Sequence, residues 1–270
     1  MNSEPSGDEH FVFIFSIVVA LGLLGAYYAC LLRAATLGCP TRQRRPLQLT
    51  PPAALLVLLF VLLRYADSSV RSSAYYLILF MALGAGWMLA AAGSFLFFGV
   101  SLREDAIEQR NPAAIVAVTG GMLAVMLAYA GGNIGAGPTI WTTIFSSFLA
   151  TTALLLLWLL LQGLSNITRA IIEERDMASG VRLAGYLVAL SLILGRAVAG
   201  DWHSTEATMR DFVAEGWPAL ALTLLLPFSE RWLQPSLKRP FPSVRIYGII
   251  PAASSLLFAL GVVLYLGKWN

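Results

Sequence analysis

Residues 106–121 read AIEQRNPAAIVAVTGG, and residues 171–186 read IIEERDMASGVRLAGY. Set 65 positions apart, the two stretches share Ile107/Ile172, Glu108/Glu173, Arg110/Arg175, Ala113/Ala178, Val116/Val181 and Gly120/Gly185, with Asn111 opposite Asp176. Each is a short charged segment that runs directly into a long apolar one, so the repeated unit leads into a membrane rather than into a soluble core. A period of this kind implies a fold assembled by copying a small unit.

Composition fixes the solvent. The chain is 58% hydrophobic and 12% charged, whereas about a quarter of the residues of a soluble domain carry charge. Too few charges are available to build a polar exterior, so lipid is the required surroundings. The net charge of +3 is no nucleic-acid signature, because the basic residues sit in short loops between apolar runs.

Apolar spans fall near 11–32, 51–66, 73–100, 113–131, 139–163, 180–199, 212–229 and 246–267. They are continuous rather than alternating, which predicts helices and not barrel strands. The expected class is all-α: a polytopic membrane protein of about eight transmembrane helices. The second span is short, with Pro51 and Pro52 at its start, and Pro218 and Pro227 interrupt the seventh, which leaves a seven-span alternative.

Loops after the odd spans carry Arg33, Arg42, Arg44 and Arg45; Arg103 and Arg110; Arg169, Arg175 and Arg182; and Arg231, Lys238, Arg239 and Arg245. The opposite side carries Arg64, Arg71, Arg196, Arg210 and Lys268. The positive-inside bias places the first set in the cytoplasm and both termini outside. Glu4, Asp8 and Glu9 precede the first span, which holds no basic n-region, so that span is expected to be a retained helix and not a cleaved signal.

The period extends outward more weakly. Val244-Arg245-Ile246-Tyr247-Gly248 echoes Val181-Arg182-Leu183-Ala184-Gly185. Four two-helix hairpins, near 9–68, 72–132, 138–200 and 206–268, describe the chain, against two copies flanked by unrelated helices. All would share one orientation, unlike the inverted repeats of many transporters.

The stretch from Asp105 to Gly200 resembles the YjfL-like family of small bacterial inner-membrane proteins, which carry domain of unknown function 350. The resemblance rests on Glu108, Asn111, Ala113, Ala114 and Gly120, and again on Glu173, Asp176, Ala178 and Gly185. It departs from the family pattern at Pro112 and at Asp176, where Asn is expected. It implies a multi-pass protein of the bacterial plasma membrane without established chemistry, in the company of envelope-stress and membrane-remodelling components.

Candidate functional residues are Glu108, Arg110, Asn111, Glu173, Arg175 and Asp176, with Gly120 and Gly185 as packing positions. Asn111 and Asp176 fit helix N-caps, Pro112 fits the first helical position, and the carboxylates suit the positive end of a helix dipole. Capping alone accounts for the pattern and is favoured over a ring of carboxylates at a vestibule. Arg64, Arg182 and Arg196 lie near span ends and are expected to snorkel, with Asp201 as a sequence neighbour for Arg196. No acidic residue falls deep in any predicted span, which argues against a buried proton relay.

The loop Gly131–Thr139 fits a tight turn better than a re-entrant filter, and Ser146, Ser147, Thr151 and Thr152 either line a polar path or bond backbone. Trp202, Trp217, Trp232 and Trp269 suit interfacial anchors. His10, His203, Cys30 and Cys39 form no metal or disulfide spacing, and neither a phosphate loop nor a nucleophile elbow occurs. The chain is therefore expected to be non-enzymatic, with no cofactor, metal or nucleic acid. Its expected partners are the lipid bilayer, other copies of itself and a peripheral protein at the basic loops. A scaffold or sensor is the favoured function; a channel or facilitator with its path between the repeats is the alternative.

Overall fold

The computed structural model describes residues 7–36, 38–165, 167–236, 240 and 242–267. Among them, eight helices are long and apolar enough to cross a membrane: α1 Gly7–Thr36, α2 Thr41–Tyr65, α3 Ala74–Phe98, α4 Pro112–Gly131, α5 Ile140–Leu164, α6 Met177–Ala197, α7 Thr205–Leu233 and α8 Val244–Leu266. Glu4, Lys238, Arg239, Lys268 and Trp269 lie outside the described residues.

The helices alternate in direction. The even-numbered ones, α2, α4, α6 and α8, run parallel in a row, each packed on the next. The odd-numbered ones flank that row, with α1 against α3 and α5 against α7. The heart of the bundle is α4 on α6, the most extensive helix contact in the molecule. Its sequence explains the closeness, since lipid gives apolar helices no drive to associate and small residues must supply contact by letting backbones meet. A Cβ added at Gly120 would lie 2.4 Å from the Ala184 Cβ, one at Gly131 2.4 Å from the Gly195 Cα, and one at Gly180 2.5 Å from the Ala113 carbonyl oxygen.

The same kind of contact joins α6 to α8, but in a different register. Gly185 meets Ala252 and Gly248 meets Ala178. Gly248 therefore takes the place against α6 that Gly180 takes against α4, and not the place of Gly185 that the sequence echo suggested. The shift coincides with a wide π-type turn over Val244–Ile249 at the start of α8.

The two helices that carry internal prolines outrun their predicted spans. α2 begins at Thr41 and passes through Pro46, Pro51 and Pro52. A proline inside a helix strands the carbonyl four residues earlier, here Leu47 for Pro51 and Gln48 for Pro52. α1 supplies the missing donors: the Tyr27 hydroxyl donates to the Leu47 carbonyl at 2.7 Å and the Tyr28 hydroxyl to the Gln48 carbonyl at 3.1 Å. α7 likewise continues through Pro218 and Pro227 as one helix, so eight crossing-length helices replace the seven-span alternative.

At the end of the bundle away from the charged lead-ins, the far end, the loops are stitched together. Gly135 N–H donates to the Tyr65 carbonyl, Gly200 N–H to the Ile134 carbonyl, and Trp202 N–H to the Ala136 carbonyl, at 3.2, 3.0 and 2.8 Å. The glycine-rich loop is thus the middle rung between the loops that follow α2 and α6. Gly135 has φ +99°, a conformation that β-carbons disfavour.

Candidate functional site

At the other end, the basic end, the two repeated stretches fold alike. Arg110 and Arg175 both adopt left-handed backbone, with φ 55° and 52°, and each turns the chain into the N-cap that follows. Asn111 Oδ1 accepts from Ala113 and Ala114 N–H at 3.0 and 3.4 Å. Asp176 accepts from Ala178 and Ser179 N–H at 3.2 and 2.8 Å. The difference between the two caps is physical. Asn111 also donates through Nδ2 to the Ile171 carbonyl at 2.7 Å, which a carboxylate cannot do. Every partner of Asp176 is a donor, the Ser179 hydroxyl at 2.6 Å included, so a carboxylate serves better there.

The neighbouring acids stay local. Glu108 pairs with Arg103 at 2.8 Å and Glu173 with Arg169 at 2.7 Å, all four well exposed. Gly120 and Gly185 sit at the helix crossings described above.

Arg182 and Arg196, expected to snorkel, are instead the charges that join helices, and their partners carried no sequence signal. Arg182 does not snorkel. It lies six residues beyond the α6 cap, about 9 Å along the axis, and its side chain is 1% exposed. Nε and Nη2 donate to the two Glu230 oxygens at 2.7 and 2.8 Å, a bidentate pair with a carboxylate that is itself 1% exposed. Nη2 also reaches the Ser179 hydroxyl at 2.9 Å, and Nη1 donates to the Tyr247 carbonyl. A buried arginine in a bundle is tolerated on such terms: every face of the guanidinium is met by an acceptor. Asp176, Ser179, Arg182 and Glu230 form one continuous chain of hydrogen bonds.

Arg196, at the C-terminal end of α6, repeats the arrangement at the far end. It pairs with Glu215 at 2.8 Å and donates to the Leu266 carbonyl at 3.2 Å. Asp201, its sequence neighbour, accepts from the Ala136 N–H at 2.7 Å. Each arginine of α6 thus grips one carboxylate of α7 and one carbonyl of α8. Both carboxylates stand toward the ends of α7, Glu215 near the start of the predicted seventh span and Glu230 just past its end. Glu230 escaped notice because it falls one residue past the predicted span.

Around the Arg196 clamp opens a polar cavity of about 370 Å³, bordered by Thr142, Ser146, Asp211 and His203. Of the span-five hydroxyls, Ser147 donates to the Tyr129 carbonyl at 3.0 Å and Thr151 accepts from Trp87 Nε1 at 3.1 Å. Trp217 and Trp232 stand exposed on the lipid side of α7.

The family model described as Domain of Unknown Function (DUF350) matches residues 65–198. This middle stretch of the chain belongs to the DUF350 family. The matched stretch contains α3 to α6, hence both charged lead-ins and the α4–α6 contact, and leaves the clamped hairpin α7–α8 outside it. No curated protein and no solved structure matched the chain.

Proposed function

We propose that this chain is a non-enzymatic integral membrane protein that acts as a scaffold or sensor, with a rigid α4–α6 core and a hairpin, α7–α8, held to it by ionic clamps. The carrying observation is the pair of arginines on α6. α7 and α8 are among the least buried helices of the bundle; α8 meets α6 through small residues, and the arginines add polar attachment for both helices, since in lipid an apolar surface by itself gives little reason to stay. Polar attachment through the two arginines, with the Tyr186 hydroxyl donating to the Thr223 hydroxyl at 2.7 Å between them, makes a hairpin whose position depends on those groups, as a sensing element requires. The exposed, locally paired arginines and acids of the basic end offer the docking surface for a peripheral partner.

The channel alternative loses support from the same geometry, because the boundary between α4 and α6 is filled by backbone on backbone and leaves no lumen. We further infer a bacterial inner membrane, with the basic end cytoplasmic, both termini outside, and four hairpins of common ancestry.

The test is purification of tagged protein from native membranes in mild detergent, with mass spectrometry of what accompanies it. A Glu108→Ala/Glu173→Ala double variant is run beside it. A reproducible partner lost in the variant supports the scaffold. Selective solute flux in liposomes, with no partner in membranes, overturns it. Reporter fusions at residue 1 that are active only in the cytoplasm would reverse the orientation.

A further inference from the structure

A second cavity opens at the far end, on the other side of the glycine-rich loop from the Arg196 clamp. It has a volume of about 340 Å³ and shares Gly135 and Gly137 of that loop with the first cavity. Glu9 of α1, Asp67 of the α2–α3 connection, and Tyr76 and Phe80 of α3 form its walls together with Asn133 and Thr143. No lysine, arginine or histidine is among the described residues that line it. Two carboxylates therefore share one recess.

Both acids are positioned rather than loose. The Tyr76 hydroxyl donates to Glu9 Oε2 at 3.2 Å. Asp67 Oδ1 accepts from Ser69 N–H and from the Ser69 hydroxyl at 2.8 and 2.5 Å. These hydrogen bonds, the hydroxyl first, together with the charge of Arg71, hold the Asp67 carboxyl below the ordinary carboxylate range, so it stays charged in neutral solution.

Asn133 supplies the independent observation. It is 5% exposed, and its Nδ2 is committed to the Tyr129 carbonyl at 2.8 Å. That bond fixes which side of the amide is oxygen, and the oxygen has no partner among the described residues. A buried amide oxygen without a donor is costly. Here it belongs to a residue of the cavity wall, where a ligand carrying N–H groups would satisfy it.

We propose that this cavity binds a small organic cation that carries N–H groups, a protonated amine. Size and composition select this class. No group of three His, Cys, Asp or Glu that could hold a metal ion occurs among the described residues, and the volume falls in the range of small-molecule sites, about 300–1,000 Å³. Two aromatic residues beside two carboxylates suit ammonium recognition through cation–π attraction and charge. The ligand is either a free amine or the amino headgroup of a lipid, since both present the same chemistry. The site would give a sensor its input, but the inference does not depend on the scaffold reading.

The test is isothermal titration of the purified full chain in detergent with ethanolamine and putrescine, against choline, which has no N–H, and potassium and calcium chlorides at matched ionic strength. One saturable site is expected for at least one amine. Asp67→Asn, which keeps a good capping residue, and Glu9→Gln should each weaken it about tenfold or more, the worth of one charge-assisted contact. Asp211→Asn, in the neighbouring cavity, should leave it unchanged. Repeating the titration in nanodiscs separates the sources: phosphatidylethanolamine discs that block ethanolamine uptake identify a lipid headgroup, and equal affinity in phosphatidylglycerol discs identifies a free amine. The proposal is overturned if only choline or the metal ions bind, if no amine binds saturably, or if amine binding survives both charge-removing variants.

Discussion

Replacing Glu230 with alanine removes one half of a buried bidentate pair and leaves Arg182 with Ser179 and the Tyr247 carbonyl alone. Two charge-assisted hydrogen bonds disappear, each worth about 1.5–3 kcal/mol, and breaking a buried pair by deleting one partner costs about 3–5 kcal/mol. Both routes agree on ~3–5 kcal/mol as the loss. With a melting shift of about 2–4 °C per kcal/mol in a chain of this size, the midpoint should fall by roughly 10 °C. The assay is thermal unfolding in a mild detergent, followed by tryptophan fluorescence and by retention of a monodisperse chromatographic peak. Two controls make it specific. Glu173→Gln removes a carboxylate from an exposed pair and should leave the midpoint unchanged. Arg182→Met/Glu230→Leu removes both charges together and should recover most of the loss, because apolar residues of similar volume often substitute for a buried pair at little cost. The clamp argument fails if Glu230→Ala melts with the wild type, or if the double variant is no better than the single one.

Four further outcomes follow from contacts already described. Gly120→Val should abolish accumulation of folded protein, since the new side chain meets Ala184 backbone; Gly261→Val, where nothing stands within 4 Å, should be neutral by the same chromatographic criterion. Tyr27→Phe should cost about 1–3 kcal/mol by leaving the Leu47 carbonyl unsatisfied, measured as a lower melting midpoint, and Tyr27→Phe with Pro51→Ala should regain much of it. Asn111→Asp should destabilise more than Asp176→Asn, because only the first loses a donor and sets a carboxylate against the Ile171 carbonyl; the two melting midpoints decide it. Arg175→Gly should be neutral or stabilising by up to about 1 kcal/mol, glycine being at ease at φ 52° while losing more entropy on folding.

The helical class and the eight crossings could be seen in the sequence because hydropathy is a local property. So could the helix starts at Asn111 and Asp176, whose side chains bond the next few amides. What escaped depends on neighbours distant in sequence. Pro51 and Pro52 look like a helix boundary until two tyrosines from α1 answer the carbonyls they strand. Arg182 looks like a snorkelling residue until α7 brings Glu230 to it, 48 positions later. The register of α8 was misjudged because Gly248 resembles Gly185 in its sequence setting, while the glycine it replaces in space is Gly180. Asn133 carried no signal at all, since an amide in a polar loop is unremarkable until its burial is known.

The backbone contact between α4 and α6 has a consequence for how such a chain can change over time. Where two helices touch through Gly120, Gly131, Gly180 and Gly195, almost no substitution is free, because every larger residue adds atoms where another main chain already stands. The lipid-facing sides of α1, α7 and α8 obey only a requirement to be apolar, so their residues can exchange among many alternatives. Drift must then concentrate at the two ends of the chain while the middle stays recognisable. Kinship to this molecule should persist longest in residues that contribute no side chain at all.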